Sequence, residues 1–418
     1  MEKEWSWRDT GNHGPLIKAF NLASSISGYA RKPFIAEQLM EKAVHATGLS
    51  DFGDPAFREG LDLLCKSYSQ DSHVTGLGQM AGRGVIVASL SNRLRLVDWY
   101  KTHPEVSHEV IEKPWVITGL VRSGTTLSSN LLDLDPKVRT PLHWETDFPV
   151  PPSMLATEHA DPRVAESEKK LTMLYKLSPP MKSIRAMEAT RPEECLLIMQ
   201  MDFKSYMFGS ITSLATEYIE WYLHADKHST YRLHKQLLQI WQSTVPTETW
   251  GLKAPNHMHG IVPLMATYPD ARLIWNHRDP LVCIPSVTNL ALSFLRIHQP
   301  DLDPAEAAHS YNNDWLAGIE KMIAYDKSRS DRGWCHHMYY KDIVRDPVAT
   351  LSAAYQHFGE TLEPVHERRI KAWVEQRPQH SFGKHKYSLE EFGLDPRKMR
   401  EQYAEYIDRY NVPVEYKG

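Results

Sequence analysis

The sequence predicts an α/β fold, a P-loop-like parallel sheet flanked by helices, with a helical region ahead of it and a helical lid inserted into it. Three observations carry this. Four short apolar stretches, 115-120, 249-253, 271-276 and 334-339, are separated by helical patterns, the arrangement of parallel strands with crossover helices. The first of them runs into a glycine-bounded turn, "GLVRSGTT", that opens onto Leu127, Leu131 and Leu134 at helical spacing. Before it, from about 16 to 103, apolar residues recur at three and four positions and no strand pattern is found.

Taken in order, residues 1-110 form the N-terminal helical region, packed on the core. "KTHPEV" to "EKPW" is a polar, proline-marked connection into the core, which spans 111-360. Between about 150 and 248 lies an insertion, proline-rich at first and then helical, too long for a simple crossover. In an open α/β sheet such an insertion covers the strand ends where ligands sit, so it is expected to be a substrate lid. The last βα unit is punctuated by Asp346 as N-cap, Pro347 at the first helical position and Gly359 just past the end. Residues 361-418 form a polar helical segment interrupted by "PQHSFGKHKYS", a candidate cofactor-capping loop.

Composition narrows the function classes. Apolar residues make up 42% of the 418 and charged residues 24%, a globular balance. With 48 Lys and Arg against 52 Asp and Glu the net charge is −4, so there is no general basic field for nucleic acid and any anion site must be local. Four well-separated cysteines suit neither a zinc site nor a disulfide scaffold and fit a reducing, cytoplasmic setting. The polar, acidic N-terminus does not read as a secretory signal, and no run reaches the length of a membrane span. Peripheral membrane contact stays open.

A strand, a glycine turn and a helix bring backbone N–H groups and a helix N-terminus onto an anion. Gly119 and Gly124 are spaced as in G-x-x-x-x-G-K-[ST], but Thr125 stands where a nucleoside triphosphatase has lysine. The lysine serves the β and γ phosphates, so its absence argues against ATP or GTP hydrolysis and leaves a phosphate cradle of Arg122, Ser123, Gly124, Thr125 and Thr126. Further on, "ARLIWNHRDPLVCIPSVTNL" places Arg278 at the end of an apolar strand and Ser286 eight residues later, where a following helix could let both reach one phosphate. "HRD" here is not a kinase catalytic loop, since Ile284 stands where that motif needs asparagine.

Together these segments resemble the PAPS-dependent sulfotransferases, in their large bacterial-type branch with a "G-x-x-R-[ST]-G-T-T-L" loop. The resemblance continues in "PLHWE" (141-145), "LKAPNH" (252-257), "YPDARLIWNHRDP" (268-280) and "KHKYSLEEFGLD" (384-395). It implies a loop from Arg122 to Leu127 for the 5′-phosphosulfate and Arg278 with Ser286 for the 3′-phosphate. It also implies a lysine and a histidine at the end of the 249-253 strand, in "LKAPNH", as charge stabiliser and base, here Lys253 and His257. Val121 and Ala254 replace a proline and a serine common in the family. The Gly-rich capping loop of the cytosolic branch is absent, and Lys384 is the candidate to substitute for it.

Sulfuryl transfer from PAPS, leaving PAP, requires in-line attack at sulfur, removal of the acceptor's proton and positive charge over the sulfonate. His257 is the first candidate base, because imidazole titrates near neutrality and the segment follows a strand. Glu145 and His143 in "PLHWE" compete for the role. The pairs His257/His259 and His336/His337 lack a matching carboxylate or cysteine set, so no metal is expected. The acceptor is expected to be a small molecule with a hydroxyl or amine, and the aromatics and the run "CLLIMQMDF" (195-203) lean weakly toward a hydrophobic one. Two other readings remain: a P-loop small-molecule kinase with a degenerate Walker loop and Asp279 as its metal ligand, and a non-catalytic PAP-binding protein.

Overall fold

A computed structural model describes residues 6-155, 160-376 and 388-416. Five parallel strands form its sheet: β1 (Trp115–Gly119), β2 (Val138–Arg139), β3 (Thr249–Lys253), β4 (Arg272–His277) and β5 (Cys335–Tyr339), in the order β2-β3-β1-β4-β5. Four match the expected stretches. The fifth, β2, is two residues at the sheet edge, too short to leave a periodic signal in the sequence.

Alternate side chains along each strand enter opposite cores. Val116, Leu252, Leu273 and Trp275 pack on one face, Trp115, Ile117, Ile274 and Met338 on the other. The second face is closed by helices Pro347–His357 and Pro364–Gln376, through Leu351, Ala354 and Ile370. Asp346 caps the first of these by accepting from the Ala349 amide, Pro347 begins it, and Gly359 follows it at φ 73°. That is the punctuation read from the sequence.

The first face carries most of the protein. Among the described residues up to 114 all regular structure is helical, chiefly α1 (Pro15–Ile26), α2 (Ala36–Thr47), α3 (Arg58–Gln70) and α4 (Gly76–Thr102). Leu61, Leu64, Leu90 and Leu94 from this region share one continuous core with Phe203, Tyr218, Leu237 and Trp241 of the insertion. Helices Thr216–His224 and His228–Thr244 of the insertion therefore share a core with the N-terminal helices.

The chain passes from β1 to β2 and β3 on one side and then to β4 on the other. Strand order thus reverses at β1, and a crevice opens beyond the carboxyl ends of β1 and β4, where ligands bind in folds of this kind. No helix of the described residues is long and apolar enough to cross a membrane.

Candidate active site

Three residues with positive φ shape the loop after β1: Gly119 (136°), Arg122 (73°) and Gly124 (94°). A Cβ on Gly119 would stand 2.3 Å from the carbonyl oxygen of Asn276 in β4, so only glycine lets the chain leave the sheet so close to its neighbour. Asn276 braces the loop from β4, donating its amide to Ser128 Oγ at 2.9 Å and to the Ser123 carbonyl at 3.4 Å. The helix α5 (Thr125–Leu132) begins directly after Gly124, which directs the amides of its first turn, and its dipole, at one spot ahead of it.

Arg122 Nε donates to Ser286 Oγ at 3.1 Å, and the Arg122 carbonyl accepts Arg278 Nη1 at 3.0 Å. Motifs 156 residues apart are thus in direct contact, because β1 and β4 are neighbours in register and Arg278 follows β4 as the loop follows β1. The Arg278 guanidinium lies 3.7 Å from the centre of the Tyr340 ring and 3.1 Å from the Glu415 carboxylate. Asp279 takes no part in that pair. Its carboxylate caps the helix Pro280–Leu295 at Leu281, accepts the amides of Glu415 and Tyr416 and binds Arg400, so every lone pair is engaged and the kinase reading loses its metal ligand.

Beyond the loop opens a cavity of about 220 Å³. Arg122, Gly124, Thr125, Thr126, Arg278 and Tyr340 line its polar part, and Leu196, Tyr206, Met207, Leu290, Phe294 and Trp315 its apolar part. Arg185, Glu194 and Asn256 enter it as well. Leu196, Tyr206 and Met207 come from the insertion, which accordingly supplies part of the cavity wall.

Glu194 was not singled out in the sequence. Its carboxylate is set by Lys253 Nζ at 2.8 Å, with Arg185 Nη2 at 3.5 Å, so the lysine at the end of β3 reaches the cavity through this glutamate. The signal available was the acidic pair in "RPEEC", directly ahead of an apolar run. Its first member, Glu193, is bound by Arg185 and by His143 Nδ1, the latter at 2.7 Å. Burial would raise the Glu193 carboxyl, but Arg185 and His143 outweigh it and hold it well below the usual carboxylate range.

The other expected bases stand elsewhere. Glu145 accepts from Arg139 Nη2 at 2.7 Å, from Ser153 Oγ at 2.9 Å and from the Leu142 amide at 3.1 Å, which makes it a buried helix cap and ion pair rather than a wall of the cavity. His143 serves Glu193. His257 is fully buried, with Nδ1 2.9 Å from the Tyr231 hydroxyl, its ring among those of Tyr231 and His234 and its Nε2 without a hydrogen-bond partner among the described residues. Burial above all, then His234 and Lys253, pushes it well below the ordinary histidine range. It does not line the cavity, though its neighbour Asn256 does. Lys384 lies outside the described residues.

The buried histidines give a pH prediction. His234 and His259 are pushed down to about 3 by burial, and with His257 they are neutral in the folded chain but protonate below about pH 6.5 when unfolded. The unfolded state then binds more protons, so stability is kept above that pH and lost as pH falls. Each group approaches about 1.4 kcal/mol per pH unit. Asp314, raised to about 6 by burial, works in the opposite sense and recovers part of one group's share. Urea midpoints that fall steeply from pH 7 to 5 are the expected result.

The site suits an anionic nucleotide. Arg122, Arg185 and Arg278 line one cavity, and Ser123 Oγ and Asn256 Nδ2, both buried, have no partner within the described residues. A Cβ on Gly124 would meet the Tyr340 ring at 2.9 Å, so the cradle depends on the glycine.

Comparisons with known proteins agree with this geometry. The sulfotransferase family profile matches residues 114-364. The crystal structure of sulfotransferase STF9 from Mycobacterium avium superposes with a TM-score of 0.85 at 30% identity, covering 92% of this chain and 98% of that one. Sulfotransferase STF1 from Mycobacterium tuberculosis superposes with a TM-score of 0.79 at 26% identity, over 89% and 100%. In sequence, the omega-hydroxy-beta-dihydromenaquinone-9 sulfotransferase Stf3 of Mycobacterium bovis is 24% identical over 316 residues, 72% of this chain and 76% of that protein.

Proposed function

The chain belongs to the sulfotransferase family, and from that premise we propose that it sulfates the hydroxyl group of an apolar, lipid-like acceptor held in the cavity beside the cationic loop. It is an enzyme of sulfuryl transfer, and its family implies PAPS as the donor. The observation that carries the reading is the composition of one cavity: three arginines, one carboxylate and an apolar wall meet there.

PAPS supplies a sulfuryl group already activated on a phosphate leaving group. Arg122 and the amides of residues 123-126 would hold the phosphosulfate, with Arg278 and Ser286 assigned to the 3′-phosphate. Glu194 takes the acceptor's proton as its oxygen bonds to sulfur, and Lys253 orients that carboxylate. Arg185 and Asn256 face the developing charge on the transferred group. In this reading a carboxylate that lines the cavity takes the place of His257, whose ring is fully buried and does not line it. The lipid-like acceptor is supported by Leu196, Met207, Leu290 and Phe294 in the wall, and by the menaquinone derivative in the name of the Mycobacterium bovis relative.

The direct test is incubation with PAPS and a panel of long-chain alcohols, prenyl alcohols and phenols, scored by mass shift of the acceptor. Sulfation confined to small polar alcohols would sink the acceptor class. Nucleotide binding has its own test. Arg278→Ala should weaken PAP by about 1.5–3 kcal/mol, the range for hydrogen bonds to charged groups, with little loss for adenosine 5′-phosphosulfate. Equal losses for both ligands would remove Arg278 from the 3′-phosphate. Glu415→Gln should act in the opposite direction, tightening PAP severalfold, because it removes the carboxylate now paired with Arg278. Calorimetric titration reads all three constants.

A further inference from the structure

The helix α1 is amphipathic in the wrong sense for a globular protein. Its inner side meets the start of α4 through polar and small contacts: Asn21 Oδ1 accepts the Leu77 amide at 2.9 Å, and buried Ser24 packs on Gly76. Leu16, Leu22 and Ile26 face outward, 85%, 63% and 80% exposed, with Phe20 and Ile35 also exposed. An apolar face so concentrated on one short segment marks an interaction surface.

Its charge identifies the occupant. Between Asp9 and Glu37 there is no acidic residue, while Lys18, Arg31 and Lys32 are exposed there, in a chain whose net charge is −4. Two copies meeting through this face about a twofold axis would oppose their own cations. An anionic bilayer satisfies both halves of the pattern, apolar side chains entering the acyl boundary and basic ones staying among the headgroups. The position is also apt. His13 Nε2 lies 2.7 Å from the Ile297 carbonyl, which ties the start of this segment to the end of the helix whose Leu290 and Phe294 line the apolar part of the cavity.

We propose that α1 and the segment through Ile35 form an interfacial docking surface for an anionic lipid bilayer, on which the enzyme meets acceptors that reside in the membrane. The inference extends the lipid-like acceptor reading, but its test does not depend on turnover. Full-length protein is sedimented with phosphatidylglycerol–phosphatidylcholine vesicles and, in parallel, with phosphatidylcholine vesicles alone. Binding is expected on the first and not the second, lowered on the order of tenfold by Leu22→Ser with Ile26→Ser and about fivefold by Lys18→Glu. All three positions are exposed, so circular dichroism and PAP affinity should be unchanged. Equal binding to both vesicles, no binding, or indifference to the substitutions overturns the proposal. So does a concentration-dependent dimer abolished by the same double substitution, which would give the face to a second copy. If vesicles fail to bind while a detergent-dispersed lipid alcohol is still sulfated, the docking surface falls and the acceptor reading stands. If vesicles bind as expected and no lipid alcohol is sulfated, the docking surface stands and the acceptor reading falls.

Discussion

Glu194→Gln should lower kcat by about 10²–10⁴-fold, the usual contribution of a positioned general base, while PAP affinity changes by less than about twofold. Glutamine keeps the size of the side chain and an oxygen that can still accept from Lys253 Nζ, now at 2.8 Å. What it lacks is the basic carboxylate oxygen that takes a proton as the acceptor oxygen attacks sulfur. The loss therefore belongs in kcat, with KM for PAPS nearly fixed, while the buried Lys253 ammonium left without its countercharge lowers the melting temperature. His257→Gln is the companion measurement. That ring is buried against Tyr231 and His234, so its replacement should cost stability through lost packing and leave kcat near the parent's at temperatures where the variant is folded. If the large kcat loss followed His257 and spared Glu194, the carboxylate would be a positioning group and the imidazole the base.

This contrast also shows what the sequence could reveal. The turn after β1 was legible because backbone geometry dictates residue type: a turn leaving the sheet where a Cβ would stand 2.3 Å from a neighbouring carbonyl admits only glycine, and that constraint is written at Gly119. Of the four longer strands, β1, β3 and β4 were legible because burial on both faces fills them largely with apolar residues, whereas β5 is only partly buried. The rim was partly legible, since a residue following a parallel strand emerges at the ligand face whatever its neighbours, as Arg278 does. Direction within the rim was not. Pro255–Gly260 is a tight 3-10 turn, and a histidine there reads the same whether its ring enters the cavity or the core. Glu145 misled for a similar reason, as a glutamate three residues after the N-cap can close a capping box, and Arg139, only six residues earlier, supplied the countercharge. Glu194 was hidden because it reaches the cavity from the insertion, and nothing local in "RPEEC" says which strand end it will face.

Asp202→Ala should destabilise the protein by about 3–5 kcal/mol, the cost of leaving one member of a buried ion pair alone. Arg93 of α4 and Asp202 of the insertion are paired at 3.0 Å with side chains 2% and 1% exposed. Arg93 also donates to the carbonyls of Phe52, Asp54 and Met201, and Asp202 also accepts from Ser229, Thr230 and Lys204. Removing the carboxylate strands the guanidinium and Lys204 in a low-dielectric site and leaves two hydroxyls without their acceptor. Urea unfolding of the variant should show the deficit, with an unchanged slope if the transition remains cooperative. The pair has a functional consequence, because it fastens the insertion to the N-terminal helices just ahead of Tyr206 and Met207 in the cavity wall. An insertion held by a saturated ionic network and a continuous apolar core behaves as a fixed wall rather than a hinged flap. Acceptor binding should therefore weaken in Asp202→Ala even where the protein is still folded, with KM for the acceptor rising and KM for PAPS unmoved. Equal rises in both constants would mean that the network supports the nucleotide loop as much as the acceptor wall, and that the insertion and the sheet respond as one unit.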